Sequence, residues 1–186
     1  MVYVFLATGF EDVEALAPID IMRRAGVEVT TVSITGERIV QSAHAVGIVA
    51  DITLEEAQLD AAELMVLPGG LPGSTNLDAC QTLTAALKRH FDAGRPLAAI
   101  CAAPLVLGHL GILEGRRATC YPGVEGELKG ATYTAAIVER DGNIITGKGP
   151  GAAMEFGYAL VDLLLGEGAS AGLREGMMYN FLLQNA

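Results

Sequence analysis

A thiol becomes a nucleophile when something ionises it and something leaves it reachable, and residues 97–110 offer both. Leu97-Ala98-Ala99-Ile100 is an apolar run of strand length that ends at Cys101. Ala102-Ala103-Pro104 follows, and from Leu105 the apolar residues recur at helical spacing, with Pro104 where a first helical turn tolerates proline. Strand, nucleophile and helix joined this tightly predict an elbow. It holds the Cys101 side chain above a sheet, beside the positive end of a helix whose backbone N–H groups favour thiolate over thiol. A free cysteine in an apolar run also reads as a small buried hydrophobe. Leu67-Pro68-Gly69-Gly70 tilts the choice toward chemistry, because a glycine pair after a second apolar run, residues 62–67, lets backbone amides approach a reacting group.

Two carboxylates join this set. Glu11 and Glu14 are three residues apart just after the first apolar run, residues 2–6, so one helical face can carry both. Either can simply complement a helix N-terminus. Glu14, flanked by Val13, Ala15 and Leu16, lies one turn further in. Burial there keeps a carboxyl protonated near neutral pH, and a protonated carboxyl can donate a hydrogen bond to a thiolate.

These groups need a scaffold that brings several strand ends together. Apolar runs predict strands at residues 2–6, 27–34, 62–67, 97–100 and 118–121. Residues 39–40 and 46–49 read as a protruding hairpin with an exposed His44 near its tip. Asp141-Gly142 predicts a second hairpin between residues 132–139 and 143–146. Residues 11–25 read as a helix with acids first, Arg23 and Arg24 last and Gly26 beyond, in which Pro18 predicts a kink or a late start. Further helical stretches are expected as a turn at 51–57 capped by Asp51 or Thr53, a helix from Asn76 or Asp78 to about residue 93 carrying a packed Cys80 and a solvated His90, a helix at 152–165, and a terminal helix at 169–183 packed through Met177 and Met178. Alternating strands and helices imply a mostly parallel sheet covered on both faces, whose sites lie at the C-terminal ends of strands. Residues 8–14, Gly69-Gly70 and Cys101 all fall at such ends.

Composition narrows the partners. The 186 residues carry 12 basic and 22 acidic side chains, a net charge of −10, without a basic cluster, which argues against nucleic acid and anionic membranes. No linker divides the chain, so one domain over residues 1–186 is expected. Residues 1–7 lack a basic leader and a cleavage signal, and no apolar run approaches a membrane span, so a cytoplasmic location is expected. Cys80, Cys101 and Cys120 form no CxxC pair, and His44, His90 and His109 show no ligand spacing, so neither a disulfide framework nor a metal nor a cofactor is expected. Gly147-Lys148-Gly149-Pro150-Gly151 lacks the spacing of a phosphate loop.

Gly9-Phe10-Glu11-Asp12-Val13-Glu14, Met22-Arg23-Arg24-Ala25-Gly26, Leu67-Pro68-Gly69-Gly70, Ala99-Ile100-Cys101-Ala102-Ala103-Pro104 and Gly149-Pro150-Gly151 together resemble the ThiJ/PfpI superfamily, in its DJ-one-like branch. The resemblance runs in order through nearly the whole chain and is weakest at residues 123–130 and after Leu173. It implies an α/β, flavodoxin-like three-layer sandwich with a nucleophile elbow, and a homodimer. It further implies Cys101 as nucleophile, Glu14 as its protonated carboxyl partner, the amides of Gly70 and Ala102 beside Gly69 around the sulfur or an oxyanion, and Glu11 and Arg24 in the polar shell and dimer edge. Tyr121 stands where the animal branch has a histidine, and His44 where it has an arginine. Ala102 replaces the histidine of the peptidase branch, and the His-x-Glu of glutamine amidotransferases is absent.

The chemistry expected from this set is addition of the Cys101 thiolate, its pKa lowered by the helix end and the Glu14 proton, to a small 2-oxoaldehyde or a glycation adduct, as in a glutathione-independent glyoxalase or deglycase acting in carbonyl and oxidative stress. A redox sensor whose Cys101 stops at sulfinic acid is the alternative, with a chaperone surface or a cysteine peptidase behind it.

Overall fold

In a computed structural model, which describes residues 1–185, the elements run in the order β1 (Val2–Leu6), α1 (Asp12–Arg24), β2 (Val29–Ser33), β3 (Ile39–Gln41), β4 (Gly47–Val49), β5 (Ile52–Thr53), β6 (Leu64–Leu67), α2 (Gly73–Ala79), α3 (Gln81–Asp92), β7 (Leu97–Ile100) and α4 (Pro104–His109). After them come β8 (Arg117–Ala118), β9 (Thr132–Tyr133), β10 (Val138–Asp141), β11 (Ile144–Gly147), α5 (Ala153–Leu165), α6 (Ala171–Gly176) and α7 (Tyr179–Gln184).

Seven strands form one sheet in the order β10-β11-β7-β6-β1-β2-β5. Every neighbouring pair is parallel except the β10–β11 hairpin at the edge. The uninterrupted apolar runs explain this arrangement, because every residue of β1, β6, β7 and β11 is buried, which requires cover on both faces. Helix α1 packs along α5, while α2 contacts α3 and α4. The fold is the expected α/β, flavodoxin-like one. At the α1–α5 crossing a Cβ on Gly157 would lie 2.7 Å from Ile21 Cδ1 and 3.1 Å from Pro18 Cα, so glycine sets how closely the two helices approach. Helix α1 begins at Asp12 and runs unbroken through Pro18, so a late start does not occur.

Several expected elements are different. Residues 51–57 hold the edge strand β5 and then the expected turn, capped at Thr53, whose O accepts from Glu56 N at 3.1 Å and whose N–H donates to Glu56 Oε2 at 2.8 Å. Asp51 is not the cap but accepts hydrogen bonds from Thr31 N, Thr31 Oγ1 and Arg23 Nη2, each at 2.8 Å, tying β2 to α1. The long helix expected up to residue 93 is two, α2 and α3, broken at Cys80, where ψ is 95°. His90 is buried, its Nε2 3.0 Å from Pro96 O, because its position on the amphipathic α3 faces the sheet and not solvent. Residues 118–121 contribute only β8, paired with β9 in a small separate sheet. The terminal stretch is also broken, with Met178 in the left-handed region (φ +59°) and exposed between α6 and α7; only Met177 packs.

Candidate active site

Cys101 terminates β7 with φ +65°, a conformation that costs a residue with a Cβ roughly 1–2 kcal/mol. The surroundings leave it no alternative. Its N–H donates to Gly147 O at 2.9 Å, and its C=O accepts from Tyr121 N at 2.9 Å, so two neighbouring segments clamp one residue. Pro104 occupies the first turn of α4, as its fixed φ suits. The predicted elbow is therefore present. Cys101 keeps 8% of its surface exposed, onto a cavity of about 250 Å³, whereas Cys120 has none and Cys80 lies elsewhere at the α2–α3 break. Reachability separates one thiol from the other buried one.

The glycine pair after β6 closes around this sulfur. A Cβ on Gly69 would stand 2.3 Å from Glu14 Oε2 and 2.6 Å from Cys101 Cβ, so the absence of a side chain there is what lets carboxyl and thiol share one space. Gly70 has φ +90° and backs onto Glu11 N. The amides of Gly70 and Ala102 lie on the side of the sulfur where they favour its charged form, without a well-formed hydrogen bond to it. Glu14 is completely buried on the first turns of α1, and neither of its oxygens has a well-formed hydrogen bond; the Cys101 sulfur and the Gly69 amide are the polar groups beside it.

This burial sets the electrostatics. Desolvation pushes the Glu14 carboxyl up to about 7 against the pull of Cys101 and the Gly69 amide. Burial likewise pushes the Cys101 thiol up to about 12, helped by the charge of Glu14 and its contact with that carboxylate and opposed by the Gly70 and Ala102 amides. Against an ionised Glu14 the helix end alone does not lower the thiol, so a lowered thiol requires the proton to sit on Glu14. Helix α4 spans only six residues, and removal from water outweighs it. Carboxyl and thiol form a coupled pair that gives up a first proton near pH 7 and a second only in strong base.

At the rim, Glu11 lines the cavity with Gly70, Leu71, Ala102, Tyr121 and Val124. His44 Nδ1 lies 2.8 Å from Asp12 Oδ2 and 3.4 Å from Glu11 Oε2, linking the β3–β4 hairpin to the start of α1. Its pKa is raised by the Asp12 hydrogen bond and the Glu11 charge. Despite burial, which acts the other way, hydrogen bonds from Ser42 and His44 lower that of Asp12. Glu11, Asp12 and His44 are the one group of at least three possible metal ligands close together among the described residues, with ligand atoms within 4.8 Å, and the hydrogen bond between His44 and Asp12 already accounts for their closeness. Arg24 is not in this shell. It lies at the far end of α1 and pairs with Asp20 at 2.7 Å. Sequence reasoning left out Leu71, Val124 and Pro150, which line the cavity; Pro150 was visible inside the Gly-Pro-Gly turn, while nothing in the sequence marks Val124.

The DJ-1/PfpI family pattern matches residues 1–163. Among curated proteins, the chain is 42% identical over 168 residues to protein DJ-1 homolog B of Arabidopsis thaliana, covering 89% of this chain but 38% of that one. It is 37% identical over 175 residues to the Parkinson disease protein 7 homolog of Danio rerio, covering 92% and 93% of the two chains. A protein named a deglycase in Pyrococcus abyssi is 32% identical over 166 residues, 88% of this chain and 98% of that one. The chain thus spans about two-fifths of its Arabidopsis relatives and nearly all of the others. The crystal structure of a DJ-1 superfamily protein from Salmonella typhimurium superposes with a TM-score of 0.90 at 38% identity over 95% and 96% of the chains. Oxidised Toxoplasma gondii DJ-1 does so with 0.91 at 31% over 95% and 97%. An elbow cysteine facing a buried glutamate, on a fold and sequence shared this fully, places the chain in the DJ-1/PfpI family.

Proposed function

We propose that the protein is a cysteine-dependent enzyme that converts small 2-oxoaldehydes to 2-hydroxy acids without glutathione, with Cys101 as nucleophile and Glu14 as proton carrier. The observation that carries this reading is a fully buried Glu14 whose oxygens have no well-formed hydrogen bond, sharing with the Cys101 thiol the space that Gly69 leaves open. A carboxylate there is unsatisfied, so the pair's single negative charge is better held on sulfur, with the proton on Glu14 donated to it. The thiolate adds to the aldehyde carbon, forming a C–S bond, and Glu14 gives its proton to the new alkoxide, making a hemithioacetal. Glu14, now a carboxylate, removes the hydrogen from that carbon and delivers it to the adjacent carbonyl carbon, while the hydroxyl proton passes from the first oxygen to the second through the enediol, leaving a 2-hydroxy thioester. Water cleaves the thioester and restores the thiol. Methylglyoxal and one water give lactate, with oxidation of one carbon balanced by reduction of its neighbour. The amides of Gly70 and Ala102 stabilise the negative charge on sulfur or alkoxide.

The test is turnover of methylglyoxal by wild type, Cys101→Ser and Glu14→Gln. Loss of at least about a hundredfold in both variants is expected, from the scale of nucleophilic and acid–base contributions. Wild-type turnover in Cys101→Ser refutes the reading. The homologue named a deglycase in Pyrococcus abyssi supports chemistry of this class.

The same observation favours a second reading, peroxide sensing. The thiolate displaces water from one peroxide to give a sulfenate, and a second peroxide gives a sulfinate whose oxygens can take the Gly70 and Ala102 amides and the Glu14 proton. Mass spectrometry after mild peroxide should then find two added oxygens on Cys101 before Cys80 or Cys120.

A further inference from the structure

Beside the thiol cavity lies a second, apolar trough of about 310 Å³, and Tyr121 and Pro150 line both. The trough continues along Ile137, Gly149 and Gly151 to Lys148. Ile137 is 61% exposed there. A Cβ on Gly151 would touch nothing within 4 Å, so the wall is open where that glycine stands. Lys148 follows directly on Gly147, the register partner of Ile100, so it leaves the end of β11 beside the strand that ends at Cys101.

The charge at this place is unusual for the molecule. Among the described residues, every arginine and lysine except Arg95 and Lys148 lies within 4.0 Å of a carboxylate, in a chain of net charge −10. Arg95 is spent on the backbone carbonyls of Asp60 and Ala62, remote from the site. Lys148 Nζ makes one hydrogen bond, to Ala135 O at 2.9 Å, which leaves two of its three N–H groups uncommitted. An ammonium left without a carboxylate, where 22 acids were available, suits a ligand that brings its own.

We propose that the trough holds the far end of the substrate. The substrate class is a carbonyl compound with a short apolar spacer and a terminal carboxylate: the aldehyde at Cys101, the spacer against Tyr121, Ile137 and Pro150, the carboxylate on Lys148. This rests on Cys101 being the nucleophile and extends the substrate beyond the smallest oxoaldehydes.

The probes are N-propylmaleimide and 4-maleimidobutyrate, which share a spacer and differ in the carboxylate, with alkylation of Cys101 followed by mass spectrometry. Wild type is expected to react at least about fivefold faster with the anionic probe, the scale of one exposed ion pair, although the net charge of the protein repels it. Lys148→Gln, which keeps a donor for Ala135 O, should bring the ratio to 1 or below; Lys148→Arg should restore it, and Lys88→Gln should leave it as in wild type. A ratio at or below 1 in wild type, or one that Lys148→Gln does not change, overturns the proposal. Selectivity that persists while no Cys101-dependent turnover of methylglyoxal is found upholds the trough and removes only the glyoxalase reading.

Discussion

Burying Glu14 carries a thermodynamic cost that its chemistry explains. An unfolded chain releases the Glu14 proton near 4.5, whereas the folded pair holds its first proton until about 7. Between those values the folded state binds more protons than the unfolded one, so stability is fully present below 4.5 and falls as pH rises through 7. The loss amounts to about 3 kcal/mol at most. Glu14→Gln should therefore unfold at a higher urea concentration than wild type at pH 8 and at a similar one at pH 4.5. A pH-independent difference between the two would place Glu14 outside the ionising pair. The residue itself was legible in the sequence, since an acid one turn into a helix among apolar neighbours predicts burial. Its effect on the thiol was not, because the balance between desolvation and two amides depends on how completely Gly69 closes the space.

At the scale of elements, the cavity wall is fastened by a histidine for which the sequence assigned no role. His109, at the end of α4, has Nδ1 2.9 Å from Asp78 Oδ2 of α2 and Nε2 3.0 Å from Glu127 Oε2, on the segment that carries Val124. Lys129 Nζ lies 3.4 Å from the same Glu127 oxygen. Both imidazole nitrogens can donate only while the ring is charged, and the Glu127 and Asp78 hydrogen bonds raise its pKa above 6.5. The stabilisation is complete below 6.5 and is lost as pH rises through the folded value. His109→Gln should cost about 1 kcal/mol at pH 6, discounted for its exposure, and less at pH 9, as read from urea midpoints. An equal cost at both pH values would contradict the clamp. Strands such as β1, β6 and β7 were legible because continuous apolar runs of that length fit a doubly covered sheet. The break between α2 and α3, the split terminal helix and β5 were not, because Cys80, Met178 and Ile52–Thr53 take their conformations from tertiary packing and edge pairing instead of local propensity.

At the scale of the whole molecule, we propose that the homodimer implied by the family resemblance forms through the β3–β4 hairpin. Ile39 and Val49 are register partners, 62% and 69% exposed, and form an apolar pair on an outward face that a second copy could cover. Light scattering is expected to give twice the mass of the chain, and Val49→Asp to give the monomer; a wild-type monomer would exclude the dimer. No helix among the described residues is long and apolar enough to cross a membrane. The sheet order brings the ends of β1, β6, β7 and β11 side by side, and the pair of Glu14 and Cys101 lies where they meet. The account's central claim, that this pair holds its one negative charge on sulfur, is tested most directly by following thiolate absorbance against pH in wild type with Cys101→Ser as the blank. A Cys101-dependent rise through about pH 7 is predicted, where the pair loses its first proton. No rise until about pH 12, where burial and an ionised Glu14 hold the thiol, would contradict it.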